Sequence, residues 1–212
     1  MSNRYRTILF DLDATLIDNE AALRSIFPDI SRKYPILSGY EERIFPLYFD
    51  FPNGENAYWT LCQELNWENP PPYTVFWEYF WFLYVHATVC FPCVVPTLRA
   101  LRKKGYTLGI ITNGDTYGQN AKIDSGNLRQ YFDVVLVSNT LGIHKPDPRI
   151  YEIAMGQLGA EKHTTLFVGD NPKTDILGAQ NAGIDSFLIT NGNETFGATY
   201  AGLDVSSLLK IL

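Results

Sequence analysis

Cysteine is scarce in this sequence, with three residues among 212. Three cysteines are too few for the disulfide framework of a small secreted protein, so the composition favours a reducing compartment, and we expect the protein in the cytoplasm. The N-terminal segment carries only a short apolar run, which Asp11 and Asp13 interrupt at once. A secretory signal needs a longer apolar region, so we expect none here.

Long apolar runs are also missing. The nearest approach to one is residues 75–95, which contain Glu78, His86 and Pro92. A membrane-spanning helix needs about 20 predominantly apolar residues. This stretch therefore predicts a buried helix, and we expect no membrane partner.

A basic surplus is missing as well, since 17 Lys and Arg stand against 23 Asp and Glu for a formal net charge of −6. Domains that hold nucleic acids through phosphate contacts are usually basic, so we expect no nucleic-acid polymer as a partner. The hydrophobic share of 46% and the charged share of 19% are typical of a globular chain and exclude a disordered one. The sequence leaves the oligomeric state open.

The sequence that is present divides into two textures. Residues 18–90 are rich in aromatics and show no strand-helix alternation, which predicts a helical insertion. In residues 1–17 and 91–212, short apolar runs alternate with segments of helical spacing, one of which starts at Asp147-Pro148. This alternation predicts βαβ units and a parallel sheet. The predicted strands are 7–10, 107–111, 134–137, 165–168 and 187–189.

Polar residues follow four of these strands. Open parallel sheets bind ligands at the carboxyl ends of their strands, so we expect these residues to converge. Taken singly, each has an ordinary alternative: an aspartate caps a helix, a lysine is solvated, and Thr-Asn-Gly forms a turn. The specificity lies in their ordered appearance, each beyond its own strand. In chain order they are Asp11 and Asp13, then Thr112, Asn113 and Gly114, then Lys145, then Asp170 and Asp175.

Four carboxylates and one ammonium group sum to −3, which requires a cation if they converge. Mg²⁺ suits such a site because it takes oxygen ligands from one or two carboxylates and a substrate phosphate. A carboxylate beside a metal can attack phosphorus and form an aspartyl-phosphate. Lys145 and Thr112 would bind the phosphoryl oxygens. A second carboxyl two residues along the chain, the spacing of Asp11 and Asp13, could protonate the leaving oxygen.

These residues resemble the four motifs of the haloacid dehalogenase (HAD) superfamily. The resemblance implies an α/β fold, with a Rossmann-like parallel-sheet core of residues 1–17 and 91–212 and an inserted all-helical cap of residues 18–90. Four motifs in the family's order make it specific. The matching segments are Asp11-Leu12-Asp13-Ala14-Thr15-Leu16, Ile111-Thr112-Asn113-Gly114, Lys145-Pro146, and Gly169-Asp170 with Asp175.

The resemblance implies a Mg²⁺-dependent phosphomonoester hydrolase that acts on a small phosphorylated metabolite through an aspartyl-phosphate. It implies Asp11 as the nucleophile and Asp13 as the general acid and base. Asp175 would support the metal or Lys145. The further roles that it implies are phosphate binding by Thr112, Asn113, Gly114 and Lys145, of which Thr112 and Lys145 are also catalytic, and metal binding by Asp11, Asp13, Asp170 and Asp175.

Ala14 departs from the family pattern, which commonly has glycine there; a positive φ would cost Ala14 about 1 kcal/mol. Three other functions stay open: a phosphomutase, a phosphonate hydrolase that would need Lys33 as its Schiff-base lysine, and a non-catalytic phosphate-binding protein. The Cys90-x-x-Cys93 pair is interpreted as a packing feature. Basic residues of the insertion could pair with a second anionic group on the substrate: Arg24, Arg32, Lys33 and Arg43.

Overall fold

The structure is a computed structural model that describes residues 4–40, 42–44, 54–192 and 194–212. The chain forms two compact units, one of residues 1–19 with 88–212 and one of residues 20–87. We call the first the core unit and the second the helical unit. The predicted domain bounds at residues 17 and 91 stay predictions.

The core unit is built on a six-stranded sheet in which all neighbouring strands run parallel. The strand order is β3-β2-β1-β4-β5-β6, so β1 lies in the middle of the sheet. The predicted α/β fold with a parallel sheet is thereby confirmed. The strands are β1 (Thr7–Phe10), β2 (Thr107–Thr112), β3 (Val134–Val137), β4 (Thr165–Gly169), β5 (Asp185–Ile189) and β6 (Tyr200–Gly202).

Eight α-helices of four or more residues lie in the described parts of the chain. The helix predicted at Asp147-Pro148 starts there, because the Asp147 carboxylate accepts a hydrogen bond from the Arg149 backbone N–H at 3.0 Å. The helices are α1 (Asn19–Lys33), α2 (Gly54–Glu64), α3 (Tyr73–His86), α4 (Val94–Lys103), α5 (Thr116–Ser125), α6 (Ser138–Leu141), α7 (Pro148–Leu158) and α8 (Leu177–Ala182).

The side chains of β1 alternate between two hydrophobic clusters. Ile8 and Phe10 pack in one cluster with Leu98 of α4. Leu9 packs in a second cluster with Ile150 of α7. Successive side chains of a strand point to opposite faces of the sheet, so the core unit has a hydrophobic layer on each face. β1 is therefore packed on both sides, and the residues that follow Phe10 leave the sheet from a fully buried strand.

The two chain segments that lead into and out of the helical unit run side by side within the core unit. Ile17 and Cys90 form an antiparallel β-bridge. The Asp18 backbone N–H donates to the Val89 carbonyl oxygen at 2.8 Å. The insertion therefore leaves and re-enters the core unit at neighbouring points.

The helical unit has an aromatic interior. The rings of Tyr58 and Phe76 lie 4.8 Å apart, and both side chains are buried together with Phe80. The apolar stretch of residues 75–95 contributes α3, which buries one side and exposes Val75 and Phe82 on another. Within the described residues, every helix is too short or too polar to cross a membrane.

Candidate active site

The loop after β1 holds the first two predicted site residues. Asp11 continues the strand direction, since its backbone N–H donates to the Val168 carbonyl oxygen at 2.8 Å. The chain then turns through Ala14, whose φ of 56° lies in the left-handed region. The strain foreseen for an alanine at this position is therefore present. The turn directs Thr15 so that its hydroxyl donates to the Asp170 carboxylate at 3.2 Å.

Lys145 lies between two carboxylates at the centre of the site. Its ammonium nitrogen is 2.6 Å from an oxygen of Asp11 and 2.6 Å from an oxygen of Asp175. Lys145 is only 4% exposed. Asn113, which follows β2, holds the lysine backbone through its side chain. Its Oδ1 accepts from the Lys145 backbone N–H at 2.9 Å, and its Nδ2 donates to the Lys145 backbone carbonyl oxygen at 3.0 Å. The side chain of Asn113 thus fixes the loop that brings Lys145 into the site.

The segment after β4 places Asp170 and Asp175. A π-helical turn at Pro172–Ile176 brings Asp175 back under the strand end, where it is fully buried. One of its oxygens accepts from the Asn171 backbone N–H at 3.0 Å, and the other pairs with Lys145. Gly169 leaves room for this carboxylate, since a Cβ there would overlap with it. Both carboxylate oxygens of Asp175 therefore accept hydrogen bonds from other residues of the protein.

Asp11, Asp170 and Asp175 form a cluster in which one carboxylate oxygen of each lies within 4.8 Å of the others. Burial raises the pKa of Asp11 to about 7, an effect that Lys145 only partly offsets and that Asp175 reinforces. Burial and the Asp175 charge raise the pKa of Asp170 to about 6. For Lys145, burial lowers the pKa, but the two carboxylates together outweigh it and the net direction is upward.

These carboxylates fit a hard cation by their chemistry. Asp11 and Asp170 are oxygen ligands of the type that Mg²⁺ prefers, and the pKa of each is raised first by burial and then by the charge of Asp175. Asp13 is not part of the cluster within the described residues, because its carboxylate turns to α5.

A cavity of about 280 Å³ opens above the cluster at the carboxyl edge of the sheet. Gly114 and Asp175 do not line it: the Gly114 N–H donates to the Ser138 hydroxyl at 3.0 Å, and Asp175 lies beneath. The other predicted site residues do, so the structure brings six of the eight to one cavity wall. The lining residues are Asp11, Asp13, Ala14, Thr112, Asn113, Lys145, Asp170, Asn171 and Thr174.

Two residues that the sequence reasoning missed contact Asp13. The ammonium group of Lys122 lies 2.8 Å from one carboxylate oxygen. The side-chain amide of Gln119 donates to the other at 2.8 Å. Both belong to α5 and are 2% exposed. Their spacing could have indicated this role. Gln119 and Lys122 lie three residues apart, and thus on one side of a helix, directly after the Thr112-Asn113-Gly114 segment and next to the apolar Ile123.

A cavity lined by carboxylates at the carboxyl edge of a parallel sheet is typical of a class of α/β enzymes, and this protein has that arrangement. The chain belongs to the haloacid dehalogenase-like hydrolase family, whose model matches residues 8–189. The sequence-based prediction of an enzyme of this superfamily is thereby confirmed.

Three known proteins illustrate the similarity. The chain is 39% identical to glyceraldehyde 3-phosphate phosphatase of Methanothermobacter thermautotrophicus, over 48% of this chain and 45% of that protein, so it spans about half the length of that relative. It is 31% identical to pyrimidine 5'-nucleotidase YjjG of Escherichia coli, over 84% of this chain and 82% of that protein. The crystal structure of a HAD phosphatase from Thermococcus onnurineus superimposes with a TM-score of 0.69 at 28% identity, covering 97% of both chains.

Proposed function

We propose that this protein is a Mg²⁺-dependent phosphomonoester hydrolase that works through an aspartyl-phosphate. One observation carries the proposal: Asp11 directly follows a doubly buried strand, lines a cavity, and is held 2.6 Å from the buried ammonium group of Lys145. A nucleophilic carboxylate needs a fixed position. It also needs a neighbouring positive charge that leaves one of its oxygens accessible to the substrate. Lys145 supplies that charge from a position that Asn113 and Asp175 define.

In the proposed reaction, an oxygen of Asp11 attacks phosphorus while the bond from phosphorus to the leaving oxygen breaks. Asp13 gives a proton to that leaving oxygen. Asp13 then takes a proton from a water molecule, which attacks the aspartyl-phosphate and releases inorganic phosphate. Lys145 and the hydroxyl of Thr112 stabilise the phosphoryl oxygens as charge accumulates on them.

Asp11 and Asp170 are the side chains that would hold Mg²⁺, and Asp13 would add its backbone carbonyl, as the resemblance implies. When bound, Mg²⁺ neutralises the carboxylates and polarises the phosphoryl group. We assign Asp175 to orienting Lys145, because both of its oxygens already accept hydrogen bonds from Lys145 and Asn171. Asn113 has the same kind of role through the Lys145 backbone.

The substrate that we propose is a small phosphorylated metabolite, since the named relatives act on a triose phosphate and on pyrimidine nucleotides. The helical unit is proposed as the cap that selects it. Its basic residues are engaged within that unit: Arg24 with Glu20 and Glu42, Arg32 with Asp29, and Arg43 with Glu64.

Other functions receive less support. Lys33, the residue that a phosphonate hydrolase would need, has its ammonium nitrogen 3.6 Å from the ring centre of Tyr79, which supports a packing role. A non-catalytic phosphate-binding protein would not need Asp13 beside Asp11. A phosphomutase remains the alternative enzyme, since it would use the same residues. The three cysteines are free thiols, which supports the cytoplasm as the proposed compartment.

The test is a phosphate-release screen over phosphomonoesters, run with Mg²⁺ and with EDTA. We expect release only with Mg²⁺, and none from Asp11→Asn, whose side chain has nearly the same shape. Trapping of phosphate on the wild-type chain, absent in Asp11→Asn, would identify the acyl-phosphate. Full activity in EDTA or in Asp11→Asn would contradict the mechanism. Transfer of phosphate between two positions of one substrate, without release, would identify a phosphomutase.

A further inference from the structure

Gln119 and Lys122 connect α5 to Asp13. They lie three residues apart, so both side chains leave the same side of the helix. Lys122 pairs with one oxygen of the Asp13 carboxylate, and Gln119 donates to the other, each at 2.8 Å. A lysine that is almost fully buried is uncommon unless a carboxylate accompanies it. The pair therefore serves a defined contact and not the solvation of a helix surface.

The amide of Gln119 also contacts the phosphate-binding segment. Its nitrogen lies 2.6 Å from the Thr112 hydroxyl oxygen and 3.2 Å from the Asn113 carbonyl oxygen. A carboxylate and a carbonyl can only accept hydrogen bonds, so the NH₂ group, and not the amide oxygen, must face this side. Gly114 makes room, because a Cβ there would lie 2.9 Å from the Gln119 side chain. One NH₂ group thus joins Thr112 to Asp13.

This arrangement has a consequence for Thr112. Its hydroxyl oxygen accepts from Gln119, so the hydroxyl hydrogen is left to donate. Among the described residues, the acceptor for this hydrogen is the Asn113 backbone carbonyl oxygen, which is 3.4 Å away, a long distance for a hydroxyl donor. Thr112 lines the cavity, and a phosphoryl oxygen there would be a better acceptor.

We propose that Gln119 and Lys122 are positioning residues of the reaction. Together they hold the Asp13 carboxylate where it can reach the leaving oxygen. Gln119 also orients the Thr112 hydroxyl toward the phosphoryl group. A carboxylate has about four lone-pair sites, two on each oxygen, and Lys122 and Gln119 each occupy one. Each Asp13 oxygen therefore keeps one site, which can carry the proton for the leaving oxygen and afterwards accept one from water. The inference rests on the proposed function, because it assigns no reaction of its own.

Substrates with different leaving groups can distinguish a residue that positions Asp13 from one that only stabilises the fold. Asp13 is needed to protonate an alkyl leaving oxygen, whereas p-nitrophenolate leaves without a proton. The value of kcat/KM reports the steps up to departure of the leaving group, so the later water attack does not enter it. The ratio of kcat/KM for p-nitrophenyl phosphate to that for the best alkyl phosphate of the screen is the quantity to measure. Asp13→Asn gives the ratio expected when the proton donor is lost.

We expect Lys122→Met and Gln119→Met to raise this ratio by roughly tenfold or more, as part of the 10²- to 10⁴-fold that acid catalysis contributes. Lys122→Arg keeps the charge and should recover part of the alkyl phosphate rate. Gln119→Met should also raise KM for both substrates, because Thr112 loses its partner, while Lys122→Met should leave KM nearly unchanged. If Lys122→Met fails to fold, Gln119→Met tests the same ratio without removing a charge.

Tyr5→Phe is the matched control. Tyr5 is buried in the core unit before β1, at the edge of the sheet opposite to the site, and its hydroxyl donates to the Asp185 carboxylate at 2.6 Å. Its loss should lower the melting temperature without moving the ratio. Folded Lys122 and Gln119 variants that lose both rates by the same factor, or neither, would overturn the inference alone. A wild-type protein inactive on both substrates would instead refute the proposed function, and the inference with it.

Discussion

The substitution Lys145→Met removes the one ammonium group that separates Asp11 from Asp175. Methionine nearly fills the volume of the lysine stem, so the change is chiefly one of charge. Both lysine contacts are 2.6 Å long, Lys145 is 4% exposed and Asp175 is fully buried. Two carboxylates then face each other without a cation between them.

The expected loss is about 3–5 kcal/mol in the free energy of unfolding at pH 8, the range observed when one partner of a buried ion pair is removed. For a chain of this size, 1 kcal/mol corresponds to about 2–4 °C in melting temperature. We therefore expect Lys145→Met to melt roughly 6–20 °C below the wild type.

The loss of stability in Lys145→Met should depend on pH, and the pKa of Asp11 decides in which direction. The folded-state pKa of Asp11 is raised to about 7, above its ordinary value of 3.8, so its ionisation destabilises the folded state as the pH rises through this interval. Lys145 acts to lower that pKa, and its removal therefore raises the pKa further. At pH 5 the Asp11 carboxyl is protonated and no longer needs the lysine. The defect of Lys145→Met should shrink at pH 5.

Urea titrations of both proteins at pH 8 and pH 5, followed by circular dichroism, measure this difference. Lys162→Met is the control, because Lys162 forms an exposed pair with Glu152 at 3.4 Å that should contribute less than about 1 kcal/mol. A Lys145→Met protein as stable as the wild type at pH 8, or equally destabilised at both pH values, would refute the electrostatic account of the site.

Two further predictions concern the cation and the turn. Mg²⁺ should raise the melting temperature of the wild type more at pH 8 than at pH 5. The reason is that Asp11 and Asp170, with pKa values of about 7 and 6, must lose protons to bind it. Thermal melts with Mg²⁺ and with EDTA measure this shift, and an equal shift at both pH values would contradict the prediction. Ala14→Gly should change the free energy of unfolding by less than about 1 kcal/mol, since relief of the positive φ is offset by greater freedom of the unfolded chain. A larger loss in urea titration would show that the Ala14 methyl group makes a stabilising contact.

The local features of the core unit were readable from the sequence because they depend on neighbouring residues. The apolar run at residues 7–10 became β1, and Asp147-Pro148 began α7 as predicted. Strand ends were less certain: β5 starts at Asp185, two residues before its apolar run at residues 187–189. Backbone pairing with β4 extends the strand there, and a pairing partner leaves no mark on the sequence of the strand itself.

The candidate site shows the same division. Convergence of the strand-end residues followed from the rule for parallel sheets, and the structure brings Asp11, Thr112 and Asp170 to one cavity. The double pairing of Lys145 depends on Asn113, which is 32 positions away in the chain, and no local pattern predicts such a bond. Gln119 was missed because an amide on a helix ordinarily faces solvent. The roles assigned to all these residues stay predictions.

The bridge between Ile17 and Cys90 bears on how such a protein can change over evolution. The point of departure and the point of return of the helical unit are joined by backbone hydrogen bonds that belong to the core unit, including that from Phe91 N–H to the Leu16 carbonyl at 3.2 Å. Backbone bonds place no demand on the inserted sequence. Segments of other lengths and compositions can therefore be grafted between these two points while the residues around Asp11 keep their places. The inserted segment can therefore change its sequence during evolution while the residues that carry out the chemistry stay the same.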